Sequence, residues 1–234
     1  MAKWLLFFGT LITSHLLGAV EVTPMVQHIS HKPGSRGYFV IHNPSNREFA
    51  FELGVERIHF QDQGYSSSES DDLMVFPPAM ILKPGQSQRV QIVVDNMPAN
   101  GVEASYFVRL LQQPLILSQP QLQMLLDINV VVHLDVAGAS SDVRIVDSNI
   151  TAHKASLTLH NQGNARTYLS SLPLVLISAD GEKVLLRDSD IARLSDDSLL
   201  PAKSSRNISL SSQWHQYLLS KAVGKAPWRL ELRQ

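Results

Sequence analysis

The chain has 234 residues, a formal net charge of -1 and 18% charged residues, which allows two domains of ordinary size. The balanced charge provides no basic excess for nucleic acid and no acidic excess of the kind that keeps chains unfolded. The absence of cysteine excludes disulfides, thiolate catalysis and cysteine-bound zinc.

Residues 1–19 have the pattern of a secretory signal peptide. Lys3 precedes an apolar run over residues 4–17, and the small residues Gly18 and Ala19 follow it. That run is shorter than the ~20 residues that span a bilayer. We therefore expect an exported chain with cleavage after Ala19, and the alternative is an uncleaved membrane anchor.

Residues 20–136 carry the signals of an all-β domain, because short apolar segments alternate with turns rich in Gly, Pro and Asn. Within the predicted strand Phe49–Phe60 the apolar parity changes near Gly54, which indicates a β-bulge. The polar run Gln61–Asp72 is typical of a loop. Further strands are predicted at Gly37–Asn43, before the Pro77-Pro78 break and at Ala104–Pro114. Another strand, with Val90, Ile92 and Val94 inward, follows a turn at Lys83-Pro84-Gly85.

The segment Leu122–Leu134, LQMLLDINVVVHL, predicts an unusually long strand of roughly 40 Å at about 3.3 Å per residue. Strands usually have about five or six residues. Two explanations are open: the apolar face fills the chain's own core, or part of it is presented to a partner. The alternating apolar residues are Leu122, Met124, Leu126, Ile128, Val130, Val132 and Leu134.

The second half repeats these signals on a smaller scale. The small residues at 137–141 indicate a linker, and turns are predicted at Asn161–Asn164 and at Asp180-Gly181. One short helix is predicted over Ser212–Val223. The expected fold class is all-β, with two immunoglobulin-like β-sandwich domains at residues 20–136 and 142–234.

The residues do not indicate catalysis. The nine histidines are scattered, and His28 and His31 have no carboxylate cluster to complete a metal-ligand set. Signatures such as Gly-x-Ser-x-Gly, a phosphate-binding Gly-rich loop or His-Glu-x-x-His are missing from the sequence. The pair Asp71-Asp72 ends a polar run and is interpreted as a solvated surface pair. We expect no enzyme activity, catalytic residue, metal or other cofactor, and no use of ATP.

Several segments resemble the periplasmic chaperones of pilus assembly, the PapD-like family of chaperone–usher systems. FPPAMILKPGQSQRVQIVV at 76–94 is similar to that family's Pro-Pro, Pro-Gly and Gln-x-x-x-hydrophobic run. ASYFVRL resembles the family's next strand, and LQMLLDINVVVHL falls where the family has its long last strand of domain one. LTLHNQGNARTYL and LLPAKSSRNISL resemble its Asn-x-Gly-Asn and Leu-x-Pro-Gly-x-Ser segments. In this order the matches cover most of the chain.

This resemblance implies an ATP-independent periplasmic chaperone that binds pilin or fimbrial subunits and delivers them to an outer-membrane usher. Such chaperones donate a β-strand to a subunit that lacks its own last strand. The matching register places Leu122, Met124, Leu126 and Ile128 in the donated strand. Self-association of the unliganded chain is a further expectation. The alternative is an exported two-domain β-sandwich structural or adhesive surface protein, and an exported hydrolase would need a site that the sequence lacks.

One pair of positions departs from the family. The family holds the subunit's C-terminal carboxylate with an Arg from its first strand and a Lys from its last strand. The matching residues here are Met25 and Val131, and neither can pair with a carboxylate. Lys32, Arg36 and Arg109 are candidate substitutes, or else ordinary solvated charges. The carboxylate anchor is therefore unassigned, and the resemblance implies a divergent member.

Overall fold

A computed structural model describes residues 20–96, 101–115, 124–191 and 199–233. Strands predominate in this part of the chain, and they surround two separate hydrophobic cores. The predicted fold class, all-β with two immunoglobulin-like sandwiches, is confirmed. The predicted signal peptide lies outside the described residues. Among the residues that are described, no helix is long and apolar enough to cross a membrane.

The N-terminal sandwich packs two antiparallel-rich sheets face to face. Its strands are β1 (Glu21–Thr23), β2 (Val26–Ser30), β3 (Arg36–His42), β4 (Phe49–Phe60), β5 (Tyr65–Glu69), β6 (Leu73–Phe76), β7 (Ala79–Leu82), β8 (Ser87–Val94), β9 (Ala104–Gln113) and β10 (Asp127–Asp135). One sheet has the order β1-β3-β8-β6 and the other β2-β10-β9-β4-β5, with β7 beside β4. Alternate side chains of both sheets form the core between them, as the period of a strand requires.

Two expectations around β4 are wrong. Strand β4 pairs with β9 without interruption from Ala50 to Arg57, so the bulge predicted near Gly54 is not formed. The apolar residues of β4 shift from odd to even positions because Ile58 is buried outside the N-terminal core. The predicted loop contains strand β5, which is exposed along its whole length and therefore held by cross-strand hydrogen bonds rather than by burial.

The C-terminal sandwich is smaller and surrounds the second core. Its elements are β11 (Val143–Ile150), β12 (Ala155–Asn161), β13 (Thr167–Tyr168), β14 (Leu174–Ile177), β15 (Lys183–Leu185), α1 (Asp188–Ile191), β16 (Leu199–Leu200), β17 (Ser204–Ser209), α2 (Ser212–Lys221) and β18 (Arg229–Leu232). The sheets have the orders β11-β12-β17, β13-β16 and β15-β14-β18. The predicted helix is present as α2, whose N-terminus is capped by the Ser211 hydroxyl and which buries Trp214 and Leu218.

The linker between the sandwiches is held by backbone hydrogen bonds. The Ser140 carbonyl accepts from the N–H groups of Asn164 and Ala165, at 3.0 and 3.1 Å. A Cβ at Gly163 would lie 2.3 Å from the Ser140 carbonyl oxygen, so the close approach of the two backbones requires glycine there. The segment between β10 and β11 is thus tied to the C-terminal sandwich, although the exact domain boundary stays a prediction.

A polar cluster of low exposure joins the sandwiches. The Arg166 guanidinium donates to the Glu103 carboxylate at 2.9 Å and also pairs with Asp135 and with the Nδ1 of His28. The side chains of Arg166 and Glu103 are only 9% and 11% exposed. Because Arg166 belongs to the C-terminal sandwich and its three partners to the N-terminal one, this cluster fixes one end of the interface.

A second contact lies on the turn between β4 and β5. The Arg206 guanidinium on β17 donates to the carbonyls of Gln61 and Gly64, at 3.1 and 2.9 Å. The Asn207 N–H donates to the Asp62 carbonyl at 3.0 Å. With two contacts at separate points, the sandwiches are restrained in their relative orientation.

Candidate functional site

Strand β10 is paired along all but its last residue on one side and only about half paired on the other. Strand β9 pairs with it from Asp127 to Leu134, whereas the parallel strand β2 pairs with it only from Val131 to Asp135. In the described part of the chain no strand covers the other side of β10 over Asp127–Val130. We call this half-strand the open edge.

The backbone groups of Asp127 and Asn129 point toward the open edge. The Val131 N–H donates to the Met25 carbonyl at 2.9 Å, whereas the Leu126 carbonyl accepts from the β9 side. Since successive residues of a strand direct their backbone groups to opposite sides, the odd-numbered residues of β10 face away from β9. The open edge therefore presents N–H and C=O groups on which another strand can pair.

The predicted thirteen-residue strand is wrong at its N-terminal end. Strand β10 begins at Asp127, and the preceding Met124–Leu126 have no regular structure. The neighbouring β9 ends at Gln113, and Pro114 follows with no N–H group to offer. Toward the N-terminus of β10 the pairing with β9 therefore ends near the hydrogen bond from the Gln112 N–H to the Leu126 carbonyl, although the apolar alternation of the sequence continues.

The four predicted donor residues differ in their environment. Leu122 lies outside the described residues. Met124 is 85% exposed, and Leu126 and Ile128 are partly buried against the N-terminal core. Exposed Leu125 adds to the apolar surface beside the open edge. The role of these residues in donating a strand stays a prediction, and Met124 is the one most available to a partner.

Met25 and Val131, which the resemblance predicts to stand at the family's carboxylate anchor, lie next to each other. Met25 and Val131 are joined by the backbone hydrogen bond that begins the β2–β10 pairing. Both side chains are apolar, so the pair carries no charge. Lys32 and Arg36 are exposed, and Arg36 lies on β3 in the opposite sheet.

Arg109 is the candidate cation that lies nearest to the open edge, and two carboxylates already bind it. It contacts Asp127 in a bidentate manner, at 2.9 and 2.6 Å, and Glu56 at 3.2 Å. The hydrogen bonds to Asp127 raise the pKa of the Arg109 guanidinium, and the same bonds lower the pKa of Asp127. Arg109 therefore serves as an ion-pair partner within the sheet rather than as a free anchor.

Two further sets of residues, neither recognised from the sequence as a site, have partners within the chain. Asp72 is not simply solvated, because it accepts a hydrogen bond from the Tyr106 hydroxyl at 2.7 Å. Burial and that hydrogen bond raise the pKa of Tyr106. Buried Ser105 and His133 are hydrogen-bonded at 2.8 Å. Among the described residues, no group of three or more histidine or acidic side chains is placed to hold a metal ion.

The Ser105–His133 pair is unsuited to general-base chemistry near neutral pH. Burial, with the nearby Arg166 guanidinium and the His28 ring, lowers the pKa of His133 to about 4. The imidazole is then a weak base that stays neutral at the pH where a general base works best. A structural role at the interface of the sandwiches fits this environment better than catalysis.

The lowered pKa predicts a loss of stability in acid. Below about pH 6.5 the unfolded chain binds a proton at His133, but the folded chain does so only near pH 4. Stability therefore falls as the pH falls through this window. We expect urea denaturation to show that the wild type loses about 2 kcal/mol more than His133→Gln between pH 7 and 4.5. Equal losses in the two proteins would contradict this assignment.

Comparison with known proteins finds similarity in structure but not in sequence. No family model and no curated protein sequence matches the chain. The class 5 fimbriae chaperone CfaA is similar with a TM-score of 0.57 and 12% identity, over 92% of this chain and 99% of CfaA.

Two chaperone complexes contain similar chains. A chain of the CsuC–CsuE chaperone–tip subunit pre-assembly complex of Acinetobacter baumannii gives a TM-score of 0.54 at 10% identity, over 82% of this chain and 91% of that one. A chain of the Salmonella enterica SafA pilin–SafB chaperone complex gives 0.51 at 15% identity, with 84% and 86% covered. The predicted resemblance to pilus chaperones is confirmed at the level of the fold.

Proposed function

We propose that this chain, which has the fold of the pilus chaperones, is a periplasmic ATP-independent chaperone for pilin or fimbrial subunits. It binds a subunit by pairing the open edge of β10 with a strand of the subunit's incomplete sandwich, and it delivers the subunit to an outer-membrane usher. No catalytic step is involved, since the work is done by binding alone. Cleavage of the signal peptide after Ala19 belongs to this proposal.

The observation that carries the proposal is the open edge. An incomplete sandwich exposes both an apolar groove and unpaired backbone groups, and one added strand satisfies both. The open edge offers the backbone groups of Asp127 and Asn129, and the exposed Met124 and Leu125 lie directly before it. The neighbouring CsuC–CsuE and SafA–SafB complexes are chaperones bound to subunits, which supports the same class of partner.

A polar change at Met124 tests the apolar part of this contact. We expect Met124→Asp to reduce recovery of a co-expressed subunit at least tenfold, because a charge replaces a side chain whose burial is worth about 1.5–3 kcal/mol. Candidate subunits are to be sought among any small exported β-sandwich proteins encoded by flanking genes, and each is co-expressed singly in the periplasm. Stability should be unchanged because Met124 is exposed, whereas Leu126 packs on the core and is left intact.

The matched control is Val146→Asp, which places the same charge on an exposed apolar residue of β11 in the other sandwich. It should leave subunit recovery unchanged. If Met124→Asp and the control both retain full recovery, the contact does not involve this segment.

The same exposed features favour one other function, a structural or adhesive protein that self-associates through the open edge. The oligomeric state distinguishes the two. A chaperone should be monomeric or form small oligomers that dissociate when a subunit is added. A structural subunit should polymerise and should not dissociate in this way.

A further inference from the structure

An apolar strip crosses the outer face of the sheet beside the open edge. Val26, Val131 and Phe107 lie directly opposite one another on β2, β10 and β9. They alternate with residues of the core, so their side chains point to the other face of the sheet. On β4 the residue opposite Phe107 is Glu56, and the Tyr65 ring of β5 packs on Phe107 with the two ring centroids 5.4 Å apart. We call the four residues Val26, Val131, Phe107 and Tyr65 the outer strip; Val26 and Tyr65 are 47% and 59% exposed.

Polar residues with partners border the outer strip on both sides. Toward the open edge, Arg109 lies opposite Asn129 and is held by two carboxylates. Toward the C-terminal sandwich, His28 is bound to the Arg166 guanidinium. Of the described residues in these two bordering rows, none presents an uncommitted positive charge. The strip therefore suits apolar side chains and gives a carboxylate no favourable partner.

The route of an added strand leads to this strip. A strand paired with Asp127 and Asn129 cannot continue along β10, because β2 occupies that side from Val131 onward. The core face is closed there, since Val130 and Val132 are fully buried. A polypeptide that leaves the edge over the outer face passes Val26 and Val131, beside the exposed Met25.

We propose that the outer strip binds apolar side chains at the end of the added segment that lies nearest β2, and that no charge pairing contributes there. This inference rests on the proposed function and adds the chemistry of the partner to it. It also explains how Met25 and Val131 can stand where the family has a cation pair. The partner is an extended peptide segment whose end carries large apolar residues.

Blocked nonapeptides test this preference. All have alternating Val and Thr, an acetylated N-terminus and an amidated C-terminus. One pair of peptides ends in Phe or in Asp, and a second pair begins with Phe or with Asp. We expect one Phe peptide to bind the whole chain at least tenfold more tightly than its Asp counterpart, measured by fluorescence anisotropy. Raising NaCl from 50 to 500 mM should change its affinity less than twofold, because no ion pair forms.

The variant Val26→Ser/Tyr65→Ser removes the strip's exposed side chains, both of which lie at the surface, so it should fold as the wild type does by circular dichroism. In this variant the preference for Phe should fall below about twofold. A preference that survives in the variant, or an Asp peptide that binds as tightly as the Phe peptide, overturns the role of the strip.

The variant Asn129→Pro separates this inference from the proposed function. If Phe and Asp peptides bind equally but Asn129→Pro abolishes both interactions, the open edge binds strands and only the strip's role is wrong. If neither peptide binds the wild type, or if Asn129→Pro leaves binding intact, the open edge is not the binding site and both proposals fail.

Discussion

Replacing Asn129 with proline should abolish subunit binding while leaving the chain folded. The Asn129 N–H points away from β9, so proline removes a group that the free chain does not use in its own sheet. The ring also obstructs the approach of a paired strand. We expect affinity for the co-purified subunit to fall at least 100-fold, equivalent to about 2.7 kcal/mol. Stability in urea should change by less than about 1 kcal/mol.

The control for this variant is Ser67→Pro. Ser67 lies on β5, the strand at the other margin of the same sheet, and its N–H also points away from the paired neighbour β4. Both variants therefore place a proline on a free side of an edge strand. Equal loss of binding in the two, or full binding by Asn129→Pro, would show that pairing at β10 is not required.

Replacing Arg166 with methionine should give the largest loss of stability. The change leaves Glu103, which is 11% exposed, and Asp135 without the guanidinium that pairs with both. Breaking a buried ion pair from one side costs about 3–5 kcal/mol. Since Asp135 is more exposed than Glu103, we expect a loss of about 3 kcal/mol in urea denaturation at pH 7.

The control is Arg229→Met, which breaks the exposed pair with Glu231. Surface pairs contribute about 0–1 kcal/mol, so this change should have little effect. Similar stabilities of the two variants at pH 7 would contradict the role of Arg166 in joining the sandwiches.

The fold class could be predicted because alternation and turn residues act locally. Which side of a strand is paired could not be predicted, because pairing depends on which neighbouring strand is present. The apolar alternation in Leu122–Leu134 continues beyond the point where β9 ends, so the pattern predicts a longer strand than the structure forms. Strand β5 was missed for the opposite reason, since it is polar and exposed and gives no alternation to detect.

The contacts between the sandwiches had no signal in the sequence. Arg166 lies 63 residues from Glu103 and 138 from His28, so no local spacing brings these residues together. The same holds for the outer strip, which takes one residue from each of four separate strands. The sequence shows that Met25 and Val131 are apolar. Only the structure shows which residues surround them, and the inference that no charge pairing occurs there depends on those residues.

Amide hydrogen exchange along β10 tests the central claim most directly. In the free chain the amides of Asp127 and Asn129 should exchange rapidly, whereas those of Ile128 and Val130, which face β9, should be protected. Binding of a subunit should slow exchange at Asp127 and Asn129 at least 100-fold and leave the other two protected. If the amides of Asp127 and Asn129 exchange as fast in the complex as in the free chain, no strand is added at the open edge.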